Sequence, residues 1–248
     1  MKNNNKIALV TGAAHRLGKS IAIELHSRNI DIAIHCGQSI EAANLLCDRL
    51  NAKRKNSASV FQCDLIEPDT AKNLIGQIIQ VLGRLDYLVN NASIFYPTPL
   101  LESSSKELDS FIQINFIQPV KLIEAAFPFI KKNNGSVVNI IDIYAQRGLT
   151  EHCHYTASKM ALLEATKELA IRFAPNIRVN GVSPGAILWP ANNEMEDQQK
   201  QNTIIENTAL KRLGIARDIS LTVAYLLLDA SYTTGSNINV DGGRQLYI

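Results

Sequence analysis

A chain of 248 residues with 46% hydrophobic side chains can bury a substantial core, and no Pro/Gly/Ser-rich linker, repeat or low-complexity tract divides it, so one domain over residues 1–248 is expected. A formal net charge of +2 argues against nucleic acid or an anionic membrane as partner, and no run nears the roughly 20 apolar residues that a membrane span requires. Four cysteines stand singly without C-x-x-C spacing, and the N-terminal apolar run is too short for a signal peptide, so a cytoplasmic protein is expected.

Residues 6–11 (KIALVT) read as a strand that feeds TGAAHRLG and then a helical pattern over residues 20–28. A strand, a glycine turn and a helix make a phosphate-binding unit. Gly12 permits a tight turn with close backbone approach, Gly18 lets the helix pack closely, and the helix start offers unpaired N–H groups to a pyrophosphate. The second strand, residues 30–35, ends in HCGQS, where such folds meet the adenosine ribose, and no carboxylate stands there. That absence, with Arg16 in the turn, His35 at the strand end and Ser39 beyond it, favours the 2′-phosphate of NADP; Arg16 as an ordinary surface cation is the alternative. The basic run at residues 53–55 reads as a solvated helix end.

Residues 57–63 read as the third strand. Asp64 and Leu65 follow, the aspartate either accepting from an adenine amino group or capping the next helix. The fourth strand, residues 85–89, closes in NNAS, which places polar groups at the carboxyl edge of the sheet, where ligands bind in open α/β folds. In the loop IFYPTPL that follows, Phe95 and Tyr96 either wall a planar ligand or bury themselves in a neighbouring apolar patch. A long helix over residues 104–131 carries Asn115 among apolar neighbours, so its amide either pins a kink ahead of Pro119 or holds a water near the site.

The fifth strand, residues 135–141, delivers Asp142 to the same edge. On the helical stretch beyond it Tyr155 and Lys159 stand four apart and project from one face. A phenol is a poor acid at neutral pH unless a nearby cation stabilises the phenolate, and a lysine one turn away supplies that charge. His152, Cys153 and His154 diverge in direction, so no metal is expected. Residues 177–182 and 237–240 read as strands six and seven, followed by SPGAILWP and DGGRQLYI, and the polar segment 186–210 reads as a lid over the substrate. Seven strand-like runs with intervening helices specify an α/β fold: a single-domain, Rossmann-type, doubly wound and mostly parallel sheet with helices on both faces.

The combination of TG-x5-G near the start, NNA after strand four, an Asn on the next helix, Y-x-x-x-K and PG after strand six resembles the short-chain dehydrogenase/reductase family over essentially the whole chain. The resemblance implies NAD(P)(H)-dependent hydride transfer by a homotetramer, with Tyr155 as proton donor. It implies that Lys159 binds the nicotinamide ribose and lowers the tyrosine pKa, and that Asn115 holds a proton-relay water. Cofactor contacts are implied at Gly12, Arg16, Leu17, Gly18, Asn91, Ala92, Pro184, Gly185 and Ile187.

Two positions depart from the general family pattern: Arg16 replaces a glycine of the turn, and Asp142 replaces the serine thirteen residues before the tyrosine. Both, with the NAS-x-FYPTPL loop and the VDGGR ending, are similar to pteridine reductases. That likeness implies that Phe95 stacks on a pterin, that Arg16 and Ser93 contact pterin or cofactor phosphate, and that Asp142 takes part in proton delivery. The expected activity is NADPH-dependent reduction of a dihydropterin, with dihydrofolate as a further candidate substrate. Parasite-type pteridine reductases carry an Arg where Gln38 stands here, so NADPH preference rests on Arg16, Ser39 and His35. The alternatives are a ketoreductase such as a 3-oxoacyl carrier-protein reductase, for which Ser or Thr is expected at 142, and a non-catalytic dinucleotide sensor, which would tolerate loss of Tyr155 or Lys159.

Overall fold

The computed structural model describes residues 5–67, 69–99, 101–187 and 198–247. Seven strands form one sheet: β1 (Ile7–Val10), β2 (Asp31–Cys36), β3 (Ala58–Gln62), β4 (Tyr87–Asn90), β5 (Ser136–Ile140), β6 (Arg178–Pro184) and β7 (Asn237–Val240). Their order is β3-β2-β1-β4-β5-β6-β7 and every pairing is parallel, with Leu9 opposite Ala33 on one side and Leu88 on the other. The direction of winding reverses between β1 and β4, so a crevice opens at their carboxyl ends.

The helices are α1 (Arg16–Ser27), α2 (Ile40–Lys53), α3 (Thr70–Leu82), α4 (Ser105–Ile112), α5 (Gln118–Lys132), α6 (Cys153–Phe173), α7 (Gln198–Glu206) and α8 (Ala216–Ala224). Alternation along β1 explains the two layers. Ala8 and Val10 pack under α1, α2 and α8 through Ile21, Leu25, Leu46, Leu50, Ile219 and Val223. Ile7 and Leu9 face α3, α5 and α6 through Leu74, Ile78, Leu122, Ile130 and Phe173. Each such Leu or Ile contributes about 1.5–3 kcal/mol by leaving water.

Three expectations are refined. The single helix expected over residues 104–131 is α4, capped by the reciprocal Ser104–Glu107 box, then a π-helical turn over Gln113–Ile117, then α5 with Pro119 in its first turn. In the basic run 53–55, Arg54 is not a solvated helix end: it ion-pairs with Asp31 and donates to the Ile30 carbonyl, fixing the start of β2. Of the segment expected to form a lid, residues 188–197 lie outside the described residues; α7 and residues 207–210 are its described far side. Among the described residues no helix is long and apolar enough to cross a membrane, and no three His, Cys, Asp or Glu side chains gather to hold a metal ion.

Candidate active site

The glycine turn is tied to the end of β4. Thr11 Oγ1 accepts from the backbone N–H groups of Asn91 and Ala92, both at 2.9 Å, and Asn91 Nδ2 donates to the Thr11 and Gly12 carbonyls at 2.8 and 3.2 Å. Gly12 has φ +62, and a Cβ built on Gly18 would lie 2.2 Å from the Gly12 oxygen. The first turn of α1 holds no acidic residue, and the side chain of its N-cap, His15, makes no capping bond. The turn therefore presents the positive end of a helix to a cradle kept open by missing side chains, which fits the pyrophosphate of a dinucleotide.

His35 requires a correction. Rather than facing a ribose phosphate, it is buried, accepting from Gly12 N–H through Nδ1 at 3.1 Å and meeting the Cys63 carbonyl through Nε2 at 3.2 Å. Nδ1 as acceptor and Nε2–H as donor define the neutral tautomer, and burial lowers the pKa to about 4. His35 is a bracket joining the turn to β2 and β3. At the same edge Ser39 is the N-cap of α2, and Leu65 is buried. Asp64 Oδ1 accepts from Ile66 N–H at 3.0 Å, closing the turn after β3.

At the end of β5, Asp142 begins a short 3-10 turn. Its Oδ1 accepts from Tyr144 N–H at 2.9 Å, and its Oδ2 accepts from the Tyr155 hydroxyl at 2.7 Å. The α6 spacing puts Lys159 one turn below Tyr155, where its Nζ donates to the Ile140 carbonyl at 2.9 Å and lies 5.8 Å from the tyrosine ring centroid. Burial pushes the Asp142 carboxyl up, against hydrogen bonds from Tyr144 and Tyr155 and the charge of Lys159. Tyr155 is held well above its ordinary value, by burial first and by Asp142 second. The lowering of the tyrosine pKa expected from Lys159 is therefore not seen, because burial of the phenol outweighs every neighbouring charge and the Asp142 carboxylate adds to it. Lys159 itself is lowered to about 8 by burial, against the pull of Asp142.

Asn115 is fully committed within the protein. Its Oδ1 accepts from Ser93 Oγ (3.0 Å) and Ile94 N–H (2.9 Å), while its Nδ2 donates to the Ile94 carbonyl and to Ser158 Oγ, both at 3.1 Å. An amide has two acceptor and two donor sites, so no side-chain site remains for a relay water. Its carboxamide ties the π turn to the loop after β4. Phe95, in that loop, stacks on His152 with centroids 4.7 Å apart and meets Tyr155 edge-on at 4.7 Å, while remaining 52% exposed. Tyr96 packs against the buried Phe111 instead.

These groups surround one cleft of about 380 Å³, lined on the turn side by Gly12, Arg16, Leu17 and Gly18, and on the β4 side by Asn91, Ala92, Ser93 and Phe95. Asp142, Tyr155, Lys159, Pro184, Gly185 and Ile187 complete the wall. His35, Ser39, Asp64, Leu65 and Asn115 do not line it. Sequence reasoning missed His15, Ile140, Ile141 and Ala186, which do, although His15, Ile141 and Ala186 each neighbour a residue that was singled out. It also missed Ser158, which accepts from Asn115 and donates to the Tyr155 carbonyl at 2.7 Å.

A family model described as Enoyl-(Acyl carrier protein) reductase matches residues 12–245. The 3-oxoacyl-[acyl-carrier-protein] reductase FabG of Staphylococcus epidermidis is 33% identical over 245 residues, covering 98% of this chain and all of that protein. FabG of Staphylococcus aureus is 32% identical over 244 residues, covering 97% of this chain and 98% of its own. Pteridine reductase 1 of Leishmania tarentolae is 34% identical over 280 aligned positions, covering 97% of this chain and 96% of that protein. With the sheet order, the glycine cradle and the Tyr155–Lys159 pair, these matches make the chain a member of the short-chain dehydrogenase/reductase family of oxidoreductases.

Proposed function

We propose that the chain is an NADPH-dependent dihydropterin reductase. The reading rests on one contact, the 2.7 Å bond from the Tyr155 hydroxyl to the Asp142 carboxylate. Ketone reduction needs only a hydroxyl to polarise an oxygen, so an acid beside the tyrosine adds nothing it requires. Reduction of a ring C=N bond builds basicity on a nitrogen that must take a proton, and a carboxyl pushed up by burial beside a phenol suits that step.

A bound NADPH would supply the hydride. Tyr155 then gives its proton to the ring nitrogen adjacent to the reduced carbon, and the Asp142 carboxyl, shifted toward its protonated form, returns one to Tyr155. Solvent makes up the net proton. Lys159 would bind the nicotinamide ribose and supply a cation there. Phe95, half exposed at the cleft, offers a flat face for the pterin. Arg16 at the cleft, together with the absence of any carboxylate between Cys36 and Ser39, supports the 2′-phosphate of NADPH. Such a charge-assisted contact contributes about 1.5–3 kcal/mol, on the order of 10- to 100-fold in affinity.

A second reading, reduction of a 3-oxoacyl thioester, is supported by the full coverage of the FabG relatives. The alignment to the pteridine reductase exceeds this chain's 248 residues, so that relative carries insertions. NADPH oxidation by the purified protein, offered dihydrobiopterin, dihydromonapterin, dihydrofolate and an acetoacetyl thioester in parallel, separates the two. Turnover confined to the thioester would replace the first reading with the second, and NADPH binding with no turnover of any would favour a dinucleotide sensor.

A further inference from the structure

The turn after β7 reaches back to the catalytic loop. Gly242 and Gly243 have φ +64 and +79, and a Cβ on either would come within 2.9 Å of Thr208 or Ala209. This close fit seats Arg244 in the interior at 8% exposure. Its Nη2 and Nε donate to the Tyr144 hydroxyl at 2.9 and 3.3 Å, and its Nη1 donates to the Ile204 carbonyl of α7 at 2.9 Å. Among the described residues no carboxylate ion-pairs with it. Burying a guanidinium is costly unless its hydrogen-bond partners are well placed. The tyrosine partner leads directly to the chemistry, because the Tyr144 backbone N–H is the donor to Asp142 Oδ1.

We infer that Arg244 is a positioning residue for the reaction: it clamps Tyr144 between the turn after β7 and α7, and Tyr144 in turn holds the Asp142 carboxylate in line with Tyr155. The inference rests on the proposed role of Asp142 in proton delivery. Asp241 makes the clamp rigid, its Oδ1 and Oδ2 accepting from the backbone N–H groups of Gly243 (2.9 Å) and Gln245 (2.8 Å). The Tyr144 oxygen therefore receives two N–H donors from a side chain that is itself fixed at its backbone.

Tyr144→Phe, Arg244→Ala, Arg244→Lys, the Tyr144→Phe/Arg244→Ala double variant and Asp142→Asn are compared with wild type, all loaded with NADPH. Three quantities are measured: kcat on whichever of dihydrobiopterin and acetoacetyl thioester the wild type reduces, NADPH affinity, and amide hydrogen exchange over residues 142–147. Tyr144→Phe and Arg244→Ala should each lower kcat about 10-fold, with NADPH affinity within about twofold of wild type. The double variant should be no worse than the poorer single variant, since one unit is broken twice. Exchange over residues 142–147 should rise in both single variants, and Arg244→Lys should restore part of each effect. Unchanged exchange in Arg244→Ala, or losses that multiply in the double variant, overturns the inference. Failure of the proton-delivery reading looks different: Asp142→Asn keeps full activity while exchange rises as expected in the clamp variants.

Discussion

Asp142 and Tyr155 sit 2.7 Å apart at the cleft wall and are coupled, so their proton losses belong to the unit more than to either side chain. Asp142→Asn keeps the volume and removes the titrating group. Turnover of dihydropterin should fall by about 10²–10⁴ and the acidic limb of the kcat profile should move, with NADPH affinity unchanged. Asp142→Ser should remain poor on dihydropterin and gain weak ketone reduction. Lys159, with a pKa of about 8, is a cation below that pH and loses its charge above it. kcat/KM should therefore decline as pH rises through about 8, and Lys159→Arg should shift that alkaline limb upward; a profile flat to pH 10 would rule this out. Tyr155 and Lys159 were legible because spacing alone puts them on one helix face. Arg244 was not, since its partners lie 40 and 100 positions away and the sequence gives no local hint of them.

The glycine turn and its bracket act as one element. Gly18→Ala would drive a methyl group to 2.2 Å from the Gly12 oxygen and 2.6 Å from Asn91 Nδ2, so the cradle must open. NADPH affinity should fall at least 10-fold, measured by quenching of protein fluorescence. His35 makes the same element acid-sensitive. Its folded pKa of about 4 lies below the unfolded value near 6.5, so its contribution is complete above pH 6.5 and is lost as pH falls through 4. That gap corresponds to roughly 3 kcal/mol. Urea unfolding of His35→Gln should show a deficit against wild type at pH 7.5 that narrows by pH 4.5; a constant deficit would show that the ring contributes only packing. Strands were readable because parallel strands covered on both faces appear as unbroken apolar runs, as in IALV of β1. The inward turn of His35 was hidden, because the strand end that meets a ribose in this fold is also where the chain closes over Gly12. The π turn was equally hidden, since it depends on Ser93, Ile94 and Ser158 meeting Asn115 in space.

At the scale of the whole molecule, β7 is an edge strand beside a cleft of about 700 Å³ that includes Leu210, Leu221, Ile238 and Val240 among its walls. Leu210, Leu221, Tyr225, Leu246 and Tyr247 are all exposed. Light scattering should give the mass of about four chains, and Leu221→Asp should lower it; a wild-type monomer would refute the tetramer that the family resemblance implies. The π turn at Gln113–Ile117 bears on the whole molecule in another way. Such a turn carries more backbone than an α-helix of the same span needs. Deleting Ile114 would let α4 and α5 fuse into one regular rod, with every hydrogen bond closer to ideal. The same deletion would turn α4 by about 100° relative to α5, carrying the fully buried Phe111 off its core and pulling Asn115 away from Ser93. In this segment an apparent defect in the helix keeps the two halves in phase, and mending it would throw the molecule out of tune.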